Sequence, residues 1–162
     1  MKFKNFFKSN ETILIEALQQ NDAAAISILR GKEITFGELI VLQMPMHRIS
    51  SEVARVLGDM TDKDWQKWGY KPNSRNSICL DLFSRALRHG RADLVPQFLA
   101  SGLNMNTGTA EEHPFTSLCA SGMPQEAKLQ TLHAIISQGI DQISGRNAFL
   151  KAAAAGGFMP GF

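Results

Sequence analysis

Cys119 and His113 are the residues of this chain whose types could most readily do chemistry together. A thiolate beside an imidazole is the machinery of cysteine nucleophilic catalysis, and the two must meet in space for it to work. They support an alternative reading of the chain as a small cysteine-dependent enzyme. Glu111 and Glu112 are paired carboxylates, but consecutive side chains diverge and make a poor acid–base couple. Negative charge ahead of a helix N-terminus, worth a few tenths to ~1 kcal/mol, describes them better. His47, His89, His113 and His133 are far apart, with neither H-x-x-x-H nor H-E-x-x-H spacing, and there is no C-x-x-C. No metal site and no cofactor are expected. Ser101-Gly102, Ser121-Gly122 and Ser144-Gly145 lack the residues that would complete a G-x-S-x-G nucleophile elbow. There is no phosphate loop of the form G-x-x-x-x-G-K-S/T and no dinucleotide fingerprint.

Two other clusters suit recognition better than catalysis. Arg85, Arg88, His89 and Arg91 gather cations within one short stretch. They are either a solvated face near a helix C-terminus or an electropositive patch for an acidic partner, since Arg is favoured at binding hot spots. Trp65 and Trp68, followed by Tyr70, stand three residues apart and share one helix face. They are a core plug, or, if exposed, anchors for a partner.

The elements that must position these groups read as helices. Thr12–Leu18 and Asn21–Leu29 have a helix–turn–helix rhythm, with Asn21 able to take a left-handed turn. Thr35 and Glu38 have capping-box spacing and predict a helix through about Gln43, ended before Pro45. Ser50 or Ser51 caps the next helix, whose apolar positions are Val53, Val56 and Leu57. Thr61 and Asp64 repeat the capping box, and Gly69 is the expected left-handed stop. The polar run Tyr70–Ser77 is the expected loop between two halves of a single domain, 10–70 and 78–162. Pro96 predicts a late helix start with Asp93 as N-cap. Pro124 opens a helix whose buried stripe should be Leu129, Leu132, Ile135 and Ile136.

The totals bound the class. The chain has 162 residues, 44% of them hydrophobic and 20% charged, enough for about one globular domain and against disorder. A net charge of +2 is too weak for nucleic acid, and no apolar run approaches the ~20 residues of a membrane span. Lys8, Asn10 and Glu11 interrupt the apolar core that a cleaved signal would need. Two cysteines do not make a disulfide framework. The expected compartment is the cytoplasm, with export by a route lacking a cleaved signal as the alternative.

The run Gly90–Asn106, G-R-A-D-L-V-P-Q-F-L-A-S-G-L-N-M-N, resembles the second half of an ankyrin repeat, G-H-x-E-V-V-x-L-L-L-x-x-G-A-D-V-N. Gly90, Asp93, Leu94, Val95, Phe98, Leu99, Gly102, Asn104, Met105 and Asn106 fall in matching columns. Gly122 and Gly156 follow Gly90 at spacings of 32 and 34, against about 33 in ankyrin arrays. The first-helix pattern T-P-L-H-L-A-A can be laid over Leu82–Leu87, His113–Cys119 and Asn147–Ala153, with Pro114 at the first helical position. Residues 41–71 do not follow the period. The resemblance, closest to small degenerate ankyrin-like proteins of bacteria, implies an all-α fold, a short solenoid of irregular helix-turn-helix repeats. In that register Cys119 takes the column of a small buried residue, which argues against a nucleophile. It also implies a non-enzymatic module that binds a specific protein partner, as in toxin neutralisation or effector-type binding. The concave positions by column are Ser84, Arg85, Arg88, Asn106, Thr107, Thr109, Glu111 and Thr116. The last repeat reads as truncated, and Ala152–Ala155 with Phe158, Met159 and Phe162 leaves an apolar C-terminal end. That end is a cap over its own helix or a surface for a homodimer or larger self-assembly.

Overall fold

The computed structural model describes residues 8–104 and 114–137. Every regular element among them is helical, and none of these helices is long and apolar enough to cross a membrane. The chain divides into two compact units, Met1–Arg75 and Asn76–Phe162. The expected elements at 139–162, including the apolar C-terminal end, lie outside the described residues.

In the first unit, α1 (Asn10–Gln20) begins at Ser9, whose hydroxyl accepts from the Thr12 N–H, and ends at Asn21 with φ 54°. Asn21 does more than turn the chain. Its amide nitrogen donates to the Arg48 carbonyl at 3.0 Å, and its amide oxygen accepts from the Ser50 N–H at 2.8 Å. The second bond sets Ser50 in place to cap α4 (Ser51–Asp59) through the Val53 N–H. α2 (Ala23–Leu29) is capped by Asp22. α1 packs on α2 and on α3 (Gly37–Leu42), and α2 packs on α4. Leu14, Leu18, Ile26, Leu29, Val53 and Leu57 are all buried where these helices meet.

The short helix α5 (Asp62–Lys67) forms the reciprocal capping box of Thr61 and Asp64. It carries both tryptophans inward. Trp65 and Trp68 are fully buried and meet edge to face at 5.6 Å, and Tyr70 adds a second edge contact to Trp65 at 5.4 Å. The core-plug reading holds, and the indoles are not surface anchors. The Trp68 indole N–H donates at 3.0 Å to the Leu29 carbonyl at the end of α2, which also accepts from the Lys32 N–H at 3.1 Å. Gly69 is left-handed at φ 99°, as expected.

The Thr35–Glu38 capping box does not form. Phe36 stands at the N-cap of α3 with φ 60° and no side-chain cap, and the Thr35 N–H donates instead to the Glu11 carboxylate at 2.5 Å. The cause is Gly37. A Cβ there would strike the Trp68 carbonyl oxygen and lie 2.8 Å from the Trp68 Cβ. The chain enters α3 over the Trp68 backbone, so the sharp turn falls on Phe36.

In the second unit, α6 (Arg75–Arg88) starts earlier than the polar run suggested, which shortens the loop to end at Ser74. Gly90 turns the chain at φ 72° into a 3-10 turn, Ala92–Leu94, and then into α7 (Val95–Ala100), whose first turn holds Pro96. Asp93 is not the N-cap. It is drawn away by Arg91, with a bond of 2.8 Å between Arg91 Nη2 and Asp93 Oδ2. Phe83 and Phe98 stack at 5.4 Å between α6 and α7, both fully buried. α8 (Pro114–Ala120) has Pro114 first, as expected. Gly122 is not left-handed, unlike Gly90 and Gly102, so the turn after α8 differs from the one after α6. α9 (Gln125–Ile136) follows Pro124 but buries Lys128, Thr131, Leu132 and Ile135. Leu129 is only half-buried and Ile136 is exposed. Lys128 takes the inner face because its ammonium donates to the Cys119 carbonyl at 2.8 Å, near the C-terminal end of α8 where a cation is favoured.

Both tryptophans lie in the first unit, so their fluorescence reports on that unit. Gly37→Ala should lower its urea midpoint with an unchanged slope, by about 1–3 kcal/mol as for other overpacked sites. Gly31→Ala, with nothing within 4 Å of the added carbon, should be close to neutral. The pH response has a defined sign. Asp62 accepts from the N–H groups of Asn73, Ser74 and Arg75, and those bonds, the Asn73 one foremost, lower its pKa. Burial works to raise Asp64, but the Thr61 N–H and the Arg30 guanidinium outweigh it and lower the pKa. Carboxylates lowered by folding stabilise above their unfolded value of about 3.9 and lose that contribution as pH falls through the folded value. The urea midpoint should therefore be level down to about pH 5 and fall below about pH 4. Asp62→Asn should flatten that fall.

Candidate functional site

The residues expected on a binding surface separate into three groups. Ser84 is 4% exposed, on the stripe of α6 that also buries Leu80 and Leu87, so its side chain reaches no surface. That corrects its placement. Asn106, Thr107, Thr109 and Glu111 lie outside the described residues, as do Glu112 and His113. Arg85, Arg88 and Thr116 are described. Arg88 is exposed near the end of α6 and donates from Nη2 to the Ser117 hydroxyl on α8 at 3.1 Å. Ser117 is fully buried. Thr116, its neighbour, is half-buried.

The basic cluster is less uniform than its sequence suggests. Arg85 is half-buried and pairs with Asp81 one turn earlier at 3.3 Å. Arg91 grips Asp93 with two bonds, of 3.0 and 2.8 Å. The Asp93 hydrogen bond raises the Arg91 pKa, and the same bond lowers that of Asp93. Arg88 differs, because its bond goes to a neutral hydroxyl and, among the described residues, no carboxylate pairs with it.

Cys119 is buried on α8, and burial pushes its thiol up to about 11, against a smaller opposing influence of the Lys128 ammonium. At neutral pH the group is a thiol and not the nucleophilic thiolate. Cys79 is buried too, and neither of the two cysteines is in a disulfide. Among the described residues no three His, Cys, Asp or Glu side chains gather as a metal site would need.

A cleft in the first unit was not foreseen. It measures about 630 Å³, within the range of small-ligand sites. Ile34 lies in it, and its N–H donates to the Lys67 carbonyl at 2.9 Å, tying the segment before α3 to α5. Glu33 comes from that segment, Glu38 from the first turn of α3, and Lys63 and Lys67 from α5. Phe36 stands in the cleft 66% exposed, in a left-handed conformation that is an outlier for a bulky residue. The available signal was Phe36-Gly37, an aromatic beside a glycine, which the capping-box spacing around it concealed. No family model matches this chain, and neither a curated protein nor a solved structure matches it.

The state of Cys119 is open to direct measurement. In the folded protein both thiols should react with a colorimetric disulfide reagent at pH 8 more than about a hundredfold slower than in denaturant, as expected of buried cysteines. Fast labelling of Cys119 in the folded chain would restore the catalytic-thiol reading.

Proposed function

We propose that this chain is a non-enzymatic protein-interaction module whose second unit is a short run of irregular ankyrin-like helix pairs. The observation that carries the reading is the pair Gly90 and Gly102. Both are left-handed, at φ 72° and 78°, and they bracket α7 where the ankyrin-like pattern has its two glycine turns. The stacked Phe83 and Phe98 between α6 and α7 suit such a helix pair.

The binding face is the one that holds Arg88, with Arg85 one turn before it and Thr116 on α8. Asn106, Thr107, Thr109 and Glu111 join it by column. The partner is a specific protein with a carboxylate to set against Arg88, whether the setting is toxin neutralisation or an effector on a host protein. Neither cofactor, nucleic acid nor membrane enters this function. The buried, protonated Cys119 favours binding over thiol chemistry.

The test is a pull-down from the source cells, followed by affinity measurement on the captured protein. Arg88→Ala should weaken the complex about thirtyfold, the scale of a hot-spot residue. Arg55→Ala, at an exposed position of α4, should leave it unchanged. Equal affinity for the wild type and Arg88→Ala would sink the placement of the surface.

A further inference from the structure

The cleft beside Phe36 holds charges that the fold itself does not use. Several charged groups elsewhere in the first unit are engaged. Arg30 pairs with Asp59 and Asp64 at 3.1 and 2.9 Å, Asp62 accepts three backbone N–H groups, and Glu11 accepts the Thr35 N–H. Glu33, Glu38, Lys63 and Lys67 are different. All four are exposed and line one cleft, yet among the described residues none of their side chains forms an ion pair or a hydrogen bond. Two acids on one wall and two lysines on the other face a common space without meeting.

Apolar side chains of the neighbouring helix are exposed as well. α3 turns Gly37 and Val41 to the core, and its other face presents Phe36, Leu39 and Leu42 at 66%, 50% and 61% exposure. A helix apolar on both faces is ordinarily covered on both. Phe36 is moreover held outward in a backbone conformation that costs about 1–3 kcal/mol, and such strain persists only where the surroundings over-determine it. Here they do. Gly37 is pressed on Trp68, the Ile34 N–H is fixed to Lys67, and the Thr35 N–H is fixed to Glu11.

We propose that this cleft docks an extended peptide segment of a protein partner, in which an apolar side chain lies between a basic and an acidic residue. The apolar side chain packs on Phe36. The base is received by Glu33 and Glu38, and the acid by Lys63 and Lys67. Charge complementarity selects this occupant, because a segment of one sign would meet repulsion on one wall. This is a second surface, on the first unit, and it stands independently of the Arg88 face.

The probes are blocked heptapeptides with the central order Arg-Leu-Glu, compared with Arg-Leu-Arg, Glu-Leu-Glu and Gln-Leu-Gln. They are titrated into the isotope-labelled full chain and followed by amide chemical shifts. The mixed-charge peptide should bind saturably and about tenfold tighter than either single-sign peptide, with shifts centred on 33–39 and 63–69, and less so at high salt. K63E/K67E should invert the preference toward Arg-Leu-Arg. Phe36→Gly should abolish binding while raising the urea midpoint, since glycine occupies φ 60° without strain. That combination separates lost contact from lost fold. No saturable shift up to about 1 mM peptide, a Kd limit near −4 kcal/mol, would overturn the proposal. So would equal binding of all four peptides, or a preference that K63E/K67E leaves unchanged. Shifts in the same residues on concentrating the protein alone, with none on adding peptide, would replace the peptide by a second copy of the chain.

Discussion

The first unit depends on the way Trp68 is enclosed. Its indole N–H ends on the Leu29 carbonyl, its ring meets Trp65, and its backbone is covered by Gly37 with no room for a Cβ. A buried indole needs an acceptor for its N–H and close packing over a large surface. Both are supplied from a distance along the chain, by α2 and by the start of α3. Those contacts leave the short connection 30–36 little freedom. Thr35 gives its N–H to Glu11, and Phe36 absorbs the turn with a positive φ. An exposed, strained phenylalanine is thus a consequence of burying a tryptophan, and the cleft is the space that this turn leaves against α5.

In the described part of the second unit, side chains join neighbouring helices. Phe83 and Phe98 stack between α6 and α7, while Lys128 lies along the inner side of α9 and ties its head to the Cys119 carbonyl. A lysine can line an apolar contact with its stem if its ammonium finds an acceptor. The same arrangement keeps Cys119 in a setting where desolvation outweighs the nearby cation, so the thiol is held protonated. Packing, and not activation, accounts for that cysteine.

Much of this was legible in the residues, and the exceptions have one physical cause. Thr61–Asp64 and Thr35–Glu38 have identical spacing, yet only the first forms a capping box. A capping box is a local gain of about a kilocalorie, and at Thr35 it loses to the approach of Gly37 to Trp68, thirty-one residues away in sequence. α9 was misjudged for the same reason, since apolar periodicity cannot foresee that Lys128 has a carbonyl waiting on α8. Ser84 was placed outward by its ankyrin column, although Leu80 and Leu87, four before and three after, lie on its face and are buried. The helices and the left-handed Asn21 and Gly69 followed from local rules, while burial decides between the two readings of the tryptophans. The cleft did not, because its walls come from separate segments and are joined by one backbone hydrogen bond, Ile34 to Lys67.

The distribution of satisfied charge is uneven in both units. Arg30, Arg85 and Arg91 each find a carboxylate within their own unit, and surface pairs of this kind contribute little but leave no demand for a partner. Among the described residues, Arg88 and the four charges of the cleft find no oppositely charged partner. A solvated charge alone would be unremarkable, since water serves it well. What distinguishes these is company: Arg88 is braced by a buried hydroxyl, and the cleft charges flank an aromatic ring that the backbone holds outward at a conformational cost. Braced charge and exposed apolar area in one place lower the entropy that a binding surface must surrender on association. That is the physical ground for reading this chain as a protein built to hold another.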